Sequence, residues 1–338
     1  EDERPFCLVS SFIHPHDPYA TRQKYWDLYS DRDISPPTVQ RRTAAETDSH
    51  NKRLEKVIAL DAVDVSTDEI IAARRAYYGN VSYVDEWVGR IRSTLEECDL
   101  ARNTTIVFLS DHGDMLGEHG LWYKMSFREW SCRIPMIIHN PSQFAPGVVE
   151  HPVAQIDVLP TLLDLASGGE TSDIPEAIDP LHGMSLVPMC SGSEPVARPR
   201  VLSEYLAEGT GEPMLMVRNA RFKYIQCASD PDQLFDLQDD PDELVNLADS
   251  ESHTSVLTDL KSVADAHWDS DQIRDKVIRD QKRRRAVSAA LRVGRYQGWD
   301  YDPRRNPAEE YTRSHLDLTR FDISSRYPRP KPFKPDWS

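Results

Sequence analysis

Ser110-Asp111-His112-Gly113-Asp114 follows the apolar run Ile106-Val107-Phe108-Leu109, which reads as a short strand. An Asp and a His at the carboxyl end of a parallel strand stand where α/β sheets place their ligands. A carboxylate oxygen and an imidazole nitrogen can bind one divalent cation, and the following Gly lets the backbone turn sharply. A surface turn closed by an Asx hydrogen bond is the other reading of the same pentad. Further on, Gly120-Leu121-Trp122-Tyr123-Lys124 ends on a lysine that either holds an anion oxygen or lies along the surface. His14-Pro15-His16-Asp17-Pro18 offers two imidazoles on a proline-stiffened loop. An acidic metal ligand, a neutral one, a cation and acid–base groups suit hydrolysis of an anionic ester, whose equatorial oxygens need their charge stabilised.

These segments need elements to hold them. Phe6 to Ile13 reads as a buried strand that requires neighbours on both sides, with almost no chain before it, so further sequence is expected upstream. Ser66-Thr67-Asp68-Glu69 is a capping box that opens a long helix. Its apolar stripe, Val81, Val84, Val88, Ile91 and Leu95, ends near Cys98. Thr105 to Leu109 and Ile134 to His139 read as strands, and Asp157 as the cap of a helix carrying Leu159, Leu162, Leu163 and Leu165. Helix alternating with short apolar strand predicts an α/β domain with a mostly parallel sheet flanked by helices over 1–198.

The pattern changes near residue 200. Val201 to Tyr205, Met214 to Arg218, Arg221 to Gln226 and Gln233 to Leu237 are closely spaced strands, with Asn219-Ala220 as a hairpin turn. Helices over 252–268 and 271–293 complete a smaller α+β subdomain, 199–293, with a small antiparallel sheet. From Gly294 to Ser338 an extended tail rich in tryptophan, tyrosine and proline has no core of its own.

Composition sets the bounds. In 338 residues, Lys and Arg number 40 against 56 Asp and Glu, a formal net charge of −16. Hydrophobic residues make up 39% and charged residues 28%, ordinary for a globular chain, which excludes collagen, coiled coil and wholesale disorder. No apolar run is long enough to span a membrane, and an acidic chain whose one basic patch is Arg283-Arg284-Arg285 is a poor nucleic-acid binder. Negative potential favours a cationic ligand. The 5 cysteines are odd in number and lack C-x-x-C spacing, which points to reduced core residues of an intracellular, cytoplasmic protein rather than a zinc cage.

The motifs carry a specific resemblance. Ser110-Asp111-His112-Gly113-Asp114-Met115-Leu116-Gly117-Glu118-His119-Gly120-Leu121-Trp122-Tyr123-Lys124 resembles the second metal-binding signature of the type I sulfatases, in the alkaline phosphatase superfamily. Asp240-Pro241-Asp242-Glu243-Leu244-Val245-Asn246-Leu247 resembles that family's C-terminal D-P-x-E-x-x-N-L segment. Within the family, His14 to Tyr19, Trp122 to Phe127 and the tail Trp299-Asp300-Tyr301-Asp302-Pro303-Arg304 look like choline sulfatases. The similarity covers essentially the whole chain.

The resemblance implies a formylglycine, made from Cys or Ser in a C/S-x-P-x-R motif, whose hydrated form attacks sulfur. It also implies a calcium ion, with manganese or magnesium as substitutes in a hard oxygen site. By the same resemblance Asp111 and His112 are metal ligands and Lys124 contacts the sulfate and leaving oxygen. One of His14 and His16, His16 by preference, protonates that oxygen. Glu204 resembles the carboxylate that faces the cation of choline-O-sulfate. The tail would reach a neighbouring subunit's pocket in a homo-oligomer, giving Trp299, Tyr301, Tyr311 and Asp317 a role in substrate binding; anchoring the tail to its own domain is the other reading. None of Cys7, Cys98, Cys132, Cys190 and Cys227 is followed by x-Pro-x-Arg. The family's nucleophile, first Asp pair and activating Arg belong upstream, so the chain is expected to be a C-terminal portion, inactive alone and prone to aggregate at an open sheet edge. A phosphonate monoester or phosphodiester hydrolase of the same superfamily, and a truncated non-catalytic chain, are the competing readings.

Overall fold

The structure, a computed structural model, describes residues 5–168, 180–192 and 200–293. The first part carries helices α1 (Gln23–Asp27), α2 (Ser49–Val57) and α3 (Thr67–Glu97), strand β1 (Ile106–Leu109), helix α4 (Glu129–Cys132), strand β2 (Met136–His139), and helices α5 (Val158–Ser167) and α6 (Val187–Cys190). The second carries β3 (Val201–Tyr205), β4 (Met214–Arg218), β5 (Phe222–Cys227) and β6 (Gln233–Asp236), then α7 (Thr254–His267) and α8 (Ser270–Val293). No helix among the described residues is long and apolar enough to cross a membrane.

The capping box forms as the sequence requires. The Ser66 hydroxyl accepts from Glu69 N while the Glu69 carboxylate accepts from Ser66 N, and Cys98 closes α3. Asp157 behaves differently from a helix cap. A short 3-10 turn, Gln155–Asp157, runs straight into α5, so Asp157 already has right-handed helical dihedrals rather than the extended ones of an N-cap. Its fully buried carboxylate instead accepts from Ala154 N at 2.8 Å and Met184 N at 2.9 Å, tying two loops together.

Residues 6–13 form no strand in this structure, and Leu8, Val9 and Ile13 stand 72%, 85% and 81% exposed. A strand of that composition needs ladder partners on both edges, and the described residues supply none. β1 and β2 pair antiparallel, Ile106 opposite His139 and Leu109 opposite Met136, where the alternation of elements predicts mostly parallel pairing. The cause is the intervening segment 110–135, which doubles back on itself. Gly113 N donates to Ser131 O and Met115 N to Tyr123 O, each at 2.7 Å, so the chain returns beside its starting point.

β3 to β6 form an antiparallel meander in sequence order, as their spacing predicts. The Asn219 side chain closes the β4–β5 turn by accepting from Arg221 N and Phe222 N. Both faces of this sheet are covered. On one, Met214, Met216, Ile225, Cys227 and Phe235 pack on Phe127 with Tyr205 alongside; on the other, Leu215, Val217, Tyr224 and Leu234 pack on Leu260 and Ala264 of α7. Period-2 alternation therefore sends one set of side chains toward the segment that follows Lys124 and the other toward α7.

Charged groups fasten the two parts together. The Lys223 ammonium, completely buried on β5, lies 2.6 Å from Glu129 and 2.9 Å from Glu243 and also donates to Phe127 O at 2.7 Å. Arg128 donates to Asp48 at 2.9 Å and to Glu243 O at 2.7 Å, while Arg53 of α2 grips Asp230 with two nitrogens. All five cysteines are free thiols.

Candidate active site

Just past the C-terminal end of β1, the Asp111 side chain is 84% exposed, and its Oδ1 accepts from the adjacent His112 N. His112 Nδ1–H donates to Gly113 O at 2.7 Å, which leaves the lone pair on Nε2, and that atom lies 3.7 Å from Asp111 Oδ2. An imidazole held through its other nitrogen by a carbonyl, with a solvent-exposed carboxylate beside it, has donor atoms of the types that divalent cations take. Among the described residues no third His, Cys, Asp or Glu joins them in a group that could hold a metal ion.

The turn that follows is tightly built. A side chain at Gly113 would put its Cβ 2.1 Å from Trp130 O, which is why the residue after His112 has none. Leu116, His119 and Tyr123 hold left-handed backbone (φ 45°, 55° and 67°), unusual for residues with side chains and costly unless the surroundings impose it. The surroundings do so through Glu118. Its buried carboxylate accepts from Thr38 N, Val39 N and the Arg74 guanidinium, and Arg74 also donates to Leu116 O.

Lys124 emerges from this turn with its backbone oxygen held by Ser126 N and the Ser131 hydroxyl. Its Nζ lies 2.5 Å from His16 Nε2. His16 Nδ1–H is directed at Asp17, 2.8 Å from its carbonyl oxygen and 3.1 Å from its carboxylate, so Nε2 is the acceptor and the lysine ammonium the donor. The His16 and His112 rings are 5.7 Å apart, which brings the Lys124 ammonium and the two imidazoles into one cluster. His14 points elsewhere: its ring stands edge-on to Tyr83 of α3 at 5.4 Å, and burial lowers its pKa. The structure thus separates the two histidines that the sequence leaves adjacent.

Glu204 is not in this cluster. On β3 it shares a face with Leu202, which packs toward α7, and its carboxylate lies 3.7 Å from His267 at the end of that helix. Its neighbour Tyr205 takes the opposite face, against Phe127. Trp299, Tyr301, Tyr311 and Asp317 lie outside the described residues.

Several residues that matter to the geometry carry no motif label. Gln155 Nε2 donates to Ser110 O at 2.9 Å and Asp111 O at 2.6 Å, bracing the backbone under both metal-ligand candidates. Lys223, Glu129 and Glu243 hold the segment after Lys124; a lysine inside the apolar strand Phe222-Lys223-Tyr224-Ile225 was the available signal. The D-P-x-E-x-x-N-L stretch has a structural job: Glu243 accepts from Lys223 and Glu129 N, and Asn246 caps Leu234 N. Cys132, partly buried beside Lys223, has its thiol pushed up to about 11 by desolvation and is no nucleophile at neutral pH.

A family model described as Sulfatase matches residues 1–169, one for the C-terminal part of N-sulphoglucosamine sulphohydrolase matches 117–267, and one for the choline sulfatase enzyme C terminus matches 275–327. The chain is 43% identical to a choline-sulfatase of Rhizobium meliloti over 97% of its length, and spans 64% of that relative. It is 28% identical to an arylsulfatase of Clostridium perfringens over 70% of its length and 48% of that protein. Among solved structures, the phosphonate monoester hydrolase of Agrobacterium radiobacter superposes with a TM-score of 0.66 at 28% identity, over 79% of this chain and 58% of the other.

Proposed function

Because the chain belongs to the sulfatase family, we propose that the complete protein is a sulfuric ester hydrolase of the choline-sulfatase type, converting choline-O-sulfate and water to choline and sulfate. The observation that carries this reading is the 43% identity to a choline-sulfatase along nearly the whole chain, joined by the choline sulfatase C-terminal match. In such a reaction a formylglycine supplies the nucleophile, and a calcium ion, with manganese or magnesium as substitutes, supplies charge neutralisation when bound. The fit of Asp111 and His112 to a cation rests on their converging oxygen and nitrogen atoms.

The residues of this chain then have defined tasks. Asp111 and His112 would hold the cation. The Lys124–His16 pair holds a transferable proton on Nζ–H···Nε2 between two bases, next to the ligand pair. When the ester's alcohol oxygen begins to leave with negative charge, the proton passes from the Lys124 ammonium through His16 Nε2 to that oxygen, and Asp17 holds the ring by its other nitrogen throughout. Until it gives up that proton, the Lys124 ammonium presents its positive charge to the sulfate oxygens. Glu204 supplies a carboxylate for the trimethylammonium group, with the C-terminal aromatics Trp299 and Tyr301 and the carboxylate of Asp317 reaching a neighbouring copy in a homo-oligomer. The free cysteines support a reducing compartment, the cytoplasm.

The test is a substrate panel on the complete protein: choline-O-sulfate, an aryl sulfate, a phosphonate monoester and a phosphodiester. Choline-O-sulfate should be turned over with the highest kcat/KM. A higher value for the phosphonate monoester would move the assignment to the activity named for the superposed structure, and no turnover at all would leave the non-catalytic reading standing.

A further inference from the structure

The loop that carries His16 and the turn that carries Lys124 meet at two places. One is the His16–Lys124 contact itself. The other lies three residues along the first loop, where the Tyr19 hydroxyl donates to Asp114, 3.0 Å from each carboxylate oxygen. Tyr19 and Asp114 are 95 residues apart in sequence, so this clasp is a tertiary contact. Asp114 is only 9% exposed, and its Oδ1 also accepts from Leu116 N, which locks the carboxylate to the turn. The Tyr19 ring is stacked on Tyr123 (centroids 6.3 Å apart, planes at 15°) and leans on Trp122 at 5.6 Å, the two residues before Lys124. Met115 N donates to Tyr123 O across the turn, so the Asp114 end and the Lys124 end move as one piece.

We propose that Tyr19 and Asp114 are positioning residues for His16: their hydroxyl–carboxylate clasp fixes the register of the 14–19 loop against the 110–124 turn in which His16 Nε2 reaches Lys124 Nζ. The inference rests on reading His16 as the group that protonates the leaving oxygen. Aromatic stacking alone leaves the Tyr19 ring free to slide over Tyr123, because dispersion is non-directional, whereas a hydroxyl held between two carboxylate oxygens is fixed in both distance and direction. A general acid displaced by an ångström loses most of its effect, since proton transfer requires hydrogen-bond reach.

Tyr19→Phe in the complete protein removes the clasp and keeps the ring. Loss of leaving-group protonation weighs on an alkyl sulfate and hardly on an aryl sulfate whose phenolate leaves unaided. The expected result is a fall of about ten- to a hundredfold in kcat/KM for choline-O-sulfate, with less than about threefold for 4-nitrophenyl sulfate. Asp114→Asn, which keeps one acceptor oxygen, should fall between wild type and Tyr19→Phe. Equal losses on both esters, or none, would overturn the proposal. A crystal structure of Tyr19→Phe tests the positioning independently of activity: the His16–Lys124 separation should open beyond hydrogen-bond distance, and a contact left intact refutes the clasp. If that separation opens while the complete protein hydrolyses no sulfate ester, the positioning stands and the sulfatase reading falls.

Discussion

Lys124 Nζ and His16 Nε2 meet at 2.5 Å although 108 residues separate them in sequence. A contact this close, with Asp17 on the far side of the imidazole, makes the two side chains one proton-carrying unit rather than two independent groups.

A double-mutant cycle follows from that unit. In the complete protein, His16→Ala and Lys124→Ala should each lower kcat/KM for choline-O-sulfate by about 10²- to 10⁴-fold. The double variant should be far less impaired than the product of the two, because each single change already disables the pair. Multiplicative losses would mean that the two residues act separately. His14→Ala, whose ring packs on Tyr83, should leave kcat/KM within a few-fold of wild type.

Glu204 sits with His267 on the α7 side of its sheet, apart from the His16–Lys124 cluster. Removing it should therefore spare the chemical step. Glu204→Ala is expected to raise KM for choline-O-sulfate while leaving kcat/KM for an aryl sulfate unchanged, as measured by initial rates on both esters. Parallel losses on the two substrates would remove Glu204 from cation recognition.

Much of this arrangement was legible in the sequence, for identifiable reasons. The capping box at Ser66 and the meander from Val201 to Asp236 depend on local rules, turn chemistry and side-chain alternation, and both appear where those rules put them. The segment 6–13 does not: a strand is a property of a pair, and one partner cannot be read from the other's composition. Asp157 is no cap because the 3-10 turn immediately before α5 already makes it helical. At the site, residue types marked Asp111, His112, Lys124 and the His14/His16 pair. Which histidine faces the lysine depends on loop geometry, and so does the bracing by Gln155 and Glu118, and no spacing rule encodes either.

Lys223 was hidden for a different reason, because a buried lysine contradicts its usual preference for the surface. Glu243 and Glu129 hold it in its charged form against the cost of burial, raising its pKa. Lys223→Met keeps the length but strands two carboxylates, and should destabilise the complete protein by about 3–5 kcal/mol in urea unfolding. Adding Glu243→Gln should restore part of the loss by removing one unpaired charge. If Lys223→Met is neutral, the ion pairs contribute nothing to holding the segment after Lys124.

His119 makes the fold acid-sensitive in a definite window. Its ring is 5% exposed, neither nitrogen has a well-aligned hydrogen bond among the described residues, and burial first, then the Arg128 and Arg42 charges, depress its pKa to about 4. Asp48 and the Asp242 backbone pull the other way and are outweighed. The unfolded chain, with an ordinary histidine pKa of about 6.5, binds a proton before the folded one does, so stability rises with pH between about 4 and 6.5. The full contribution is present above 6.5, and about 3 kcal/mol of it is lost as pH falls to 4. His119→Asn keeps a residue that tolerates the local φ of 55° and removes the titration. Other carboxylates titrate identically in both proteins, so the difference in unfolding free energy between wild type and variant isolates the histidine. That difference should shift by about 3 kcal/mol in favour of the variant between pH 7 and pH 4; a difference that is flat with pH would show that His119 charges as readily when folded as when unfolded.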